Sequence, residues 1–164
     1  MYKAIGSGIP TAAGGLTLLA TATPSAATIV TFSSIPQLYK NLYLVWENVF
    51  GTLNAWSSIR LNDDTASHFF SGSPTLGSSV FGASGSVTWG FGDTTNPNFQ
   101  GFGTLTVFDY SSSVDGKAVE WRANSSLNWG FYNKTTPVSR IDIIPSTNYS
   151  PFVVSGKFFL YGVA

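Results

Sequence analysis

Short segments in which apolar and polar residues alternate one by one recur along most of this chain, and no window sustains the 3.6-residue period of an amphipathic helix. That feature constrains the fold more than any other. Alternation of period two sends successive side chains to opposite faces of an extended strand, so one face can be buried while the other meets solvent. In FGTLTVFDY, Leu105 and Val107 fall on one side and Thr104, Thr106 and Phe108 on the other. KAVEWRA places Val119 and Trp121 inward with Glu120 and Arg122 outward, and VSRIDIIP opposes Ile141 and Ile143 to Arg140 and Asp142 before Pro145 closes the run. The last run, GKFFLYGVA, puts Phe158 and Leu160 on one face and Phe159, Tyr161 and Val163 on the other. Apolar on both faces, it is expected in a central or covered position.

Further strands are expected in TIVTF (28–32), NLYLVWE (41–47), SSIRL (57–61) and VTWGF (87–91). Turn-forming groups separate them: NDD at 62–64, SGSP at 71–74, TTNPN at 94–98 and SSSVDG at 111–116. Pro36 in PQLYKN suits one short helical turn. Frequent turns between short strands argue for an all-β fold, an antiparallel sandwich or barrel, with a jelly-roll β-sandwich as the expected form. The chain has 164 residues and no cysteine, so one packed core has to hold it without disulfides or a thiolate metal cage.

That sandwich is expected over residues 28–164, preceded by an extended N-terminal arm over 1–27. From Ala4 to Tyr39 no residue is charged, and the first part is rich in Gly, Ala, Thr and Pro. Such a segment has few large side chains to offset the entropy of ordering it. One reading is an unstructured leader. The other is an arm that orders against a neighbouring subunit through Ile5, Ile9, Leu16, Leu18 and Leu19, where the alternation of Leu16 and Leu18 with Thr17 suits an added strand.

Charge narrows the partners. Eight basic and eight acidic residues leave a formal net charge of zero, which offers no electrostatic footprint for phosphate backbones or anionic lipid. Nucleic acid and membrane are therefore not expected as partners, and weak long-range repulsion is compatible with life inside an assembly. LTLLA is too short, and MYKAIGSGIP too interrupted, for a secretory signal, and no run approaches the roughly 20 apolar residues of a membrane span.

Catalytic machinery is not visible. A nucleophilic triad needs a His; the one candidate, His68 in ASHFF, faces no GxSxG elbow and reads as a packing or surface residue. Glu47 and Glu120 are the only glutamates, both on alternating strands, so a glycosidase pair has little support. NDD lacks the spaced ligand pattern of a calcium loop, and GASGSV at 82–87 lacks the Lys and helix of a phosphate cradle. No catalytic residue, metal ligand or cofactor is expected. Asn124, Asn133 and Asn148 begin glycosylation tripeptides, which matter only in a secreted chain. Trp56, Trp89 and Trp129 lie near turns or on Gly-flanked strands; each either fills the core or presents a ring to a sugar or a protein.

Three segments carry a resemblance. FSSIPQLYKNLYL, with Phe32, Ile35, Pro36, Tyr39 and Leu42, resembles the opening of a group of small jelly-roll structural proteins of tailed-phage virions. SSIRLNDDTASHFF, with Leu61, Asn62, Asp64 and Thr65, resembles that group's second strand and turn. SGKFFLYGVA, with Gly156, Phe158, Leu160, Tyr161 and Gly162, resembles its ending. Asp63 stands where the group has a glycine, and Lys157 and Val163 depart from the commoner ending. The resemblance implies a jelly roll and a non-enzymatic virion role: capsid decoration or cement protein, head fibre or tail component. With no coiled-coil or collagen-like repeat in so short a chain, it points to a head decoration protein bound to the major capsid protein, expected as a homotrimer and located in the virion. The alternative is a tail or fibre-associated module that binds a host glycan through Trp56, Trp89 or Trp129.

Overall fold

The structure is a computed structural model that describes residues 15–25, 29–51, 56–66, 69–72, 82–84, 87–90, 101–123, 126–145, 152–153 and 156–164. Among them are thirteen strands and no helix: β1 (Leu16–Ala22), β2 (Val30–Ser33), β3 (Asn41–Gly51), β4 (Trp56–Leu61), β5 (Phe69–Gly72), β6 (Gly82–Ser84), β7 (Val87–Gly90), β8 (Gly101–Val107), β9 (Lys117–Ala123), β10 (Ser126–Tyr132), β11 (Arg140–Pro145), β12 (Phe152–Val153) and β13 (Lys157–Val163). They form two antiparallel sheets. The larger runs β1-β13-β3-β8-β9-β10-β5-β6, with β12 also on β3, and the smaller runs β2-β11-β4-β7. The chain passes repeatedly from one leaf to the other, and its first described strand pairs with its last, as in a jelly-roll sandwich.

The expected alternation decides which residues fill the space between the leaves. From the larger sheet come Leu42, Leu44, Trp46, Leu105, Val107, Val119, Trp121, Phe158 and Leu160; from the smaller come Val30, Phe32, Ile59, Leu61, Ile141 and Ile143. All belong to one continuous cluster. β13, apolar on both faces, is indeed interior to its sheet, between β1 and β3.

Two register shifts turn side chains that simple alternation would misplace. In β3, Trp46 pairs with Gly103 and Val49 with Gly101, so one extra residue is spent and both Trp46 and Val49 reach the core. In β1 the shift between Leu18 and Ala20 reverses the strand's faces. Before it, Leu16 and Leu18 oppose Val163 and Tyr161; after it, Ala20 and Ala22 oppose the core residues Leu160 and Phe158. The boundary of the sandwich, expected at residue 28, therefore has a strand of the sheet ahead of it, hydrogen-bonded within its own chain.

The PQLYKN helical turn does not form. Residues 36–40 cross between the leaves as bends. The backbone there is held from outside: Ile35 donates its N–H to the Ser139 carbonyl at 3.0 Å, and the Tyr110 hydroxyl donates to the Pro36 carbonyl.

Candidate functional site: the outer face of the larger sheet

Of the residues that carry the resemblance, Phe32, Leu42, Leu61, Phe158 and Leu160 fill the core, while Tyr39, Asn62 and Asp64 lie at corners of the sandwich. Tyr39 lays its ring on Gly162, where a Cβ would sit 2.4 Å from the ring, so the aromatic of the first segment and the glycine of the last fit each other. Asn62 and Asp63 both have positive φ (53° and 56°), the backbone of a tight two-residue turn, which Asp tolerates in place of glycine. The Asn62 side chain donates to the Pro137 carbonyl at 3.0 Å and accepts from the N–H groups of Ser139 at 2.9 Å and Arg140 at 3.2 Å. It thereby fastens the turn to the start of β11. Asp64 accepts from the Tyr132 hydroxyl at 2.9 Å. Burial first, then this bond to a carboxylate, raises the Tyr132 pKa well above the phenol's ordinary value.

A second polar corner is built around Lys117, which is fully buried at the start of β9. Its ammonium donates to the carbonyls of Ser112 (2.8 Å), Asp115 (2.6 Å), Lys134 (3.2 Å) and Thr135 (3.1 Å), which ties two loops together. Burial lowers its pKa, opposed by the nearby Asp115 and Asp109. With the acceptors all backbone carbonyls, the arrangement is a structural clasp and offers no reactive amine to solvent.

Among the described residues, the outer face of the smaller sheet carries a network of paired charges. Asp142, 1% exposed, receives both contacts of the Arg140 Nε (3.0 and 2.8 Å) and the Thr31 hydroxyl at 2.7 Å. Asp63 lies 3.5 Å from Arg60 and 3.8 Å from Arg140. Among the described residues no three His, Cys, Asp or Glu side chains come together as a metal site.

The outer face of the larger sheet is different. Direct cross-strand partners share a face, so the register strings its outward residues into rows. One row runs Leu18, Tyr161, Tyr43, Thr106, Glu120, Trp129 across β1, β13, β3, β8, β9 and β10. The row toward one end contains Leu16, Val163, Asn41, Ala118 and Phe131, with Phe108 beside Ala118; the row toward the other contains Phe159, Val45, Thr104, Arg122 and Leu127. Leu16 is 56% exposed, Leu18 53%, Phe102 61% and Trp129 42%. Glu120 takes the Arg122 Nε at 3.3 Å, and Glu47 is the register partner of Lys157. An outward sheet face normally carries polar residues, whereas this one is rich in aromatic and branched side chains.

This face collects some of the residues singled out in the sequence. Leu16 and Leu18 stand at one side of it and Trp129 at the other, while Leu19, at the register shift, packs against the core. Ile5, Ile9 and His68 lie outside the described residues, as do Asn124 and Asn148. Trp56 and Trp89 are on β4 and β7 of the smaller sheet, so they share no sheet with Trp129; their side chains lie outside the description. Glu120 is paired with Arg122 and Glu47 is the register partner of Lys157, so the two glutamates do not converge on each other. Alternation placed Phe108 on the outward side but had not drawn attention to Tyr43, Phe102 or Phe131. The signal was present in NLYLVWE, whose outward positions hold Tyr43 and Val45 as well as Asn41 and Glu47.

No family model matches the chain, and no curated protein matches it. Among solved structures, it is similar to an exo-inulinase from Aspergillus awamori (TM-score 0.44, 9% identity), covering 92% of this chain and 29% of that one. The chain thus spans under a third of that enzyme. It is also similar to a galectin from Caenorhabditis elegans (TM-score 0.40, 12% identity), covering 87% of this chain and 93% of that one. Neither likeness carries a conclusion about function.

Proposed function

We propose that this chain is a non-enzymatic structural protein of a tailed-phage virion, a capsid decoration or cement protein that adheres to the head and stabilises the lattice of major capsid protein. One observation carries the reading: the outer face of the larger sheet presents aromatic and branched side chains across six strands, with Leu16, Leu18, Phe102, Phe108, Leu127, Trp129 and Phe131 exposed. Such a face works by excluding water on contact, at about 25 cal/mol per Å² of apolar surface covered. The resemblance of the three corner segments to virion jelly rolls supports the same reading and supplies the partner.

The test is co-sedimentation of the purified chain with phage heads that lack it. Saturable binding in fixed proportion to the capsid subunit is expected, together with raised resistance of the heads to heat. Absence of binding to heads, with binding to tails or to host cells instead, would overturn it. The second reading, a tail-associated glycan module, draws on the exposed Trp129 ring, which offers a stacking surface. Binding to a glycan array that disappears in Trp129→Ala would establish that reading in its place.

A further inference from the structure

We propose that the open edge of β1 is a strand-pairing site for a second copy of this chain, the two β1 strands running antiparallel about a two-fold axis through Thr17. The joined sheets then lie side by side, so the outer face of each copy stays free for the role proposed above. The inference does not depend on that role.

The edges of the two sheets differ in length and chemistry. Among the described strands, β1 ends the larger sheet at one side, with β13 as its neighbour, and β6 ends it at the other; β2 and β7 end the smaller sheet. β6 has three residues and β2 and β7 have four each, whereas β1 has seven. Sheet edges are ordinarily guarded by shortness, by charge or by proline. β1, LTLLATA, has none of these guards, and no residue from Ala4 to Tyr39 is charged.

The direction of the open backbone groups follows from the ladder. Val163 gives its carbonyl to the Lys40 N–H on the β3 side, at 2.9 Å. Backbone groups of successive strand residues point to opposite edges, so Gly162 turns toward β1, where Thr17 is its partner. Leu16 and Leu18 consequently turn their N–H and C=O groups to the open edge. Both are more than half exposed, at 56% and 53%.

A second copy answers this pattern because Leu16-Thr17-Leu18 reads the same in both directions. A two-fold axis at Thr17 sets that residue opposite the partner's Thr17, and Leu16 opposite the partner's Leu18. In this register the Leu16 N–H donates to the carbonyl of the partner's Leu18, and the Leu18 N–H donates to the carbonyl of the partner's Leu16. The leucine side chains, all on the outward side, cover one another across the join, and the Thr–Thr pair is a favourable cross-strand neighbour. An axis of this kind brings like residues together, which a charged edge would resist and this one does not. The register shift after Leu18 confines the pairing to the start of the strand.

The test uses the full chain. Sedimentation velocity is expected to give twice the 17.5 kDa mass of one chain. Because the chain has no cysteine, Thr17→Cys provides a specific readout. The two copies of residue 17 face each other with Cα atoms about 4.5 Å apart, within reach of a disulfide, so mild oxidation is expected to link the dimer. Thr21→Cys, exposed on the same strand, would stand about 25 Å from its copy and is expected to stay unlinked. Leu16→Pro removes an N–H from the open edge at the first position of the strand, where proline is tolerated; it is expected to keep the circular dichroism of the parent and to weaken association about tenfold or more. Hydrogen exchange is expected to show the Leu16 and Leu18 amides gaining protection as concentration rises. A monomer at every concentration, protection of those amides in a monomer, or equal linking through Thr17→Cys and Thr21→Cys would overturn the inference. The two proposals separate cleanly: a monomer that binds heads overturns the pairing alone, and a disulfide-linked Thr17→Cys dimer without affinity for any head overturns the decoration role alone.

Discussion

At the scale of single residues, the buried polar groups have definite tasks, and one of them gives the protein a pH dependence. Tyr132 is 2% exposed and donates to Asp64, and burial together with that bond holds its pKa above the unfolded value of 10.0. Below pH 10 both states keep the proton, so the phenol's stabilisation is complete. As pH rises past 10 the unfolded state releases it first, and stability falls by up to about 1.4 kcal/mol per pH unit from this group. Tyr110, shifted in the same direction chiefly by burial, adds to the slope. Tyr132→Phe is expected to be about 2 kcal/mol less stable at neutral pH, having lost the hydroxyl's bond to the Asp64 carboxylate, yet to lose stability less steeply above pH 10. Denaturant midpoints measured from about pH 8 to about pH 11 check both parts. Equal alkaline slopes for the two proteins would remove Tyr132 from the account.

At the scale of elements, two glycines set how closely aromatic rings approach the strands, and they are not equivalent. A Cβ on Gly103 of β8 would meet both the Trp46 ring and the Arg122 carbonyl at 2.3 Å, and the second obstacle is backbone of the neighbouring strand. For a Cβ on Gly162 of β13 the three nearest atoms all belong to the ring of half-buried Tyr39. Gly103→Ala is therefore expected to cost about 3 kcal/mol and Gly162→Ala about 1 kcal/mol, since a rim ring can swing aside and a paired strand cannot. Thermal melts of the two variants decide it, and a reversed order would mean that Tyr39 is the more rigid element. β1 supplies a further test. Its pairing with β13 and its Ala22 in the core make it part of the sheet, so removing residues 1–27 strips an edge strand from Phe158 and Leu160. That truncation is expected to lower the melting temperature by about 10 °C or more, whereas removing residues 1–14 keeps every described strand and shifts it little. A test of the arm at the N-terminus must accordingly stop at residue 14; if the longer truncation melts like the full chain, β1 has no structural share.

At the scale of the whole molecule, the described residues give the two outer faces different characters, one with paired charges and one rich in aromatic and branched side chains, and the proposed function follows from that asymmetry. Decoration of heads by co-sedimentation is its measurement on this scale. The period-two pattern by itself determined the all-β class and the core membership of Leu105, Val107, Val119, Trp121, Ile141, Ile143, Phe158 and Leu160. It could do so because burial of one strand face is a local demand, written into neighbouring residues. The corner motifs were also visible in the sequence, but the tasks of Asn62 and Tyr39 were not, because their partners Pro137, Ser139, Arg140 and Gly162 lie far away along the chain. The outward face of Leu16 and Leu18 depended on a one-residue register shift that alternation does not encode. Above all, that Leu18 and Trp129 share one row was decided only by the order β1-β13-β3-β8-β9-β10, since strand order is set by how the whole chain packs and not by any segment of it.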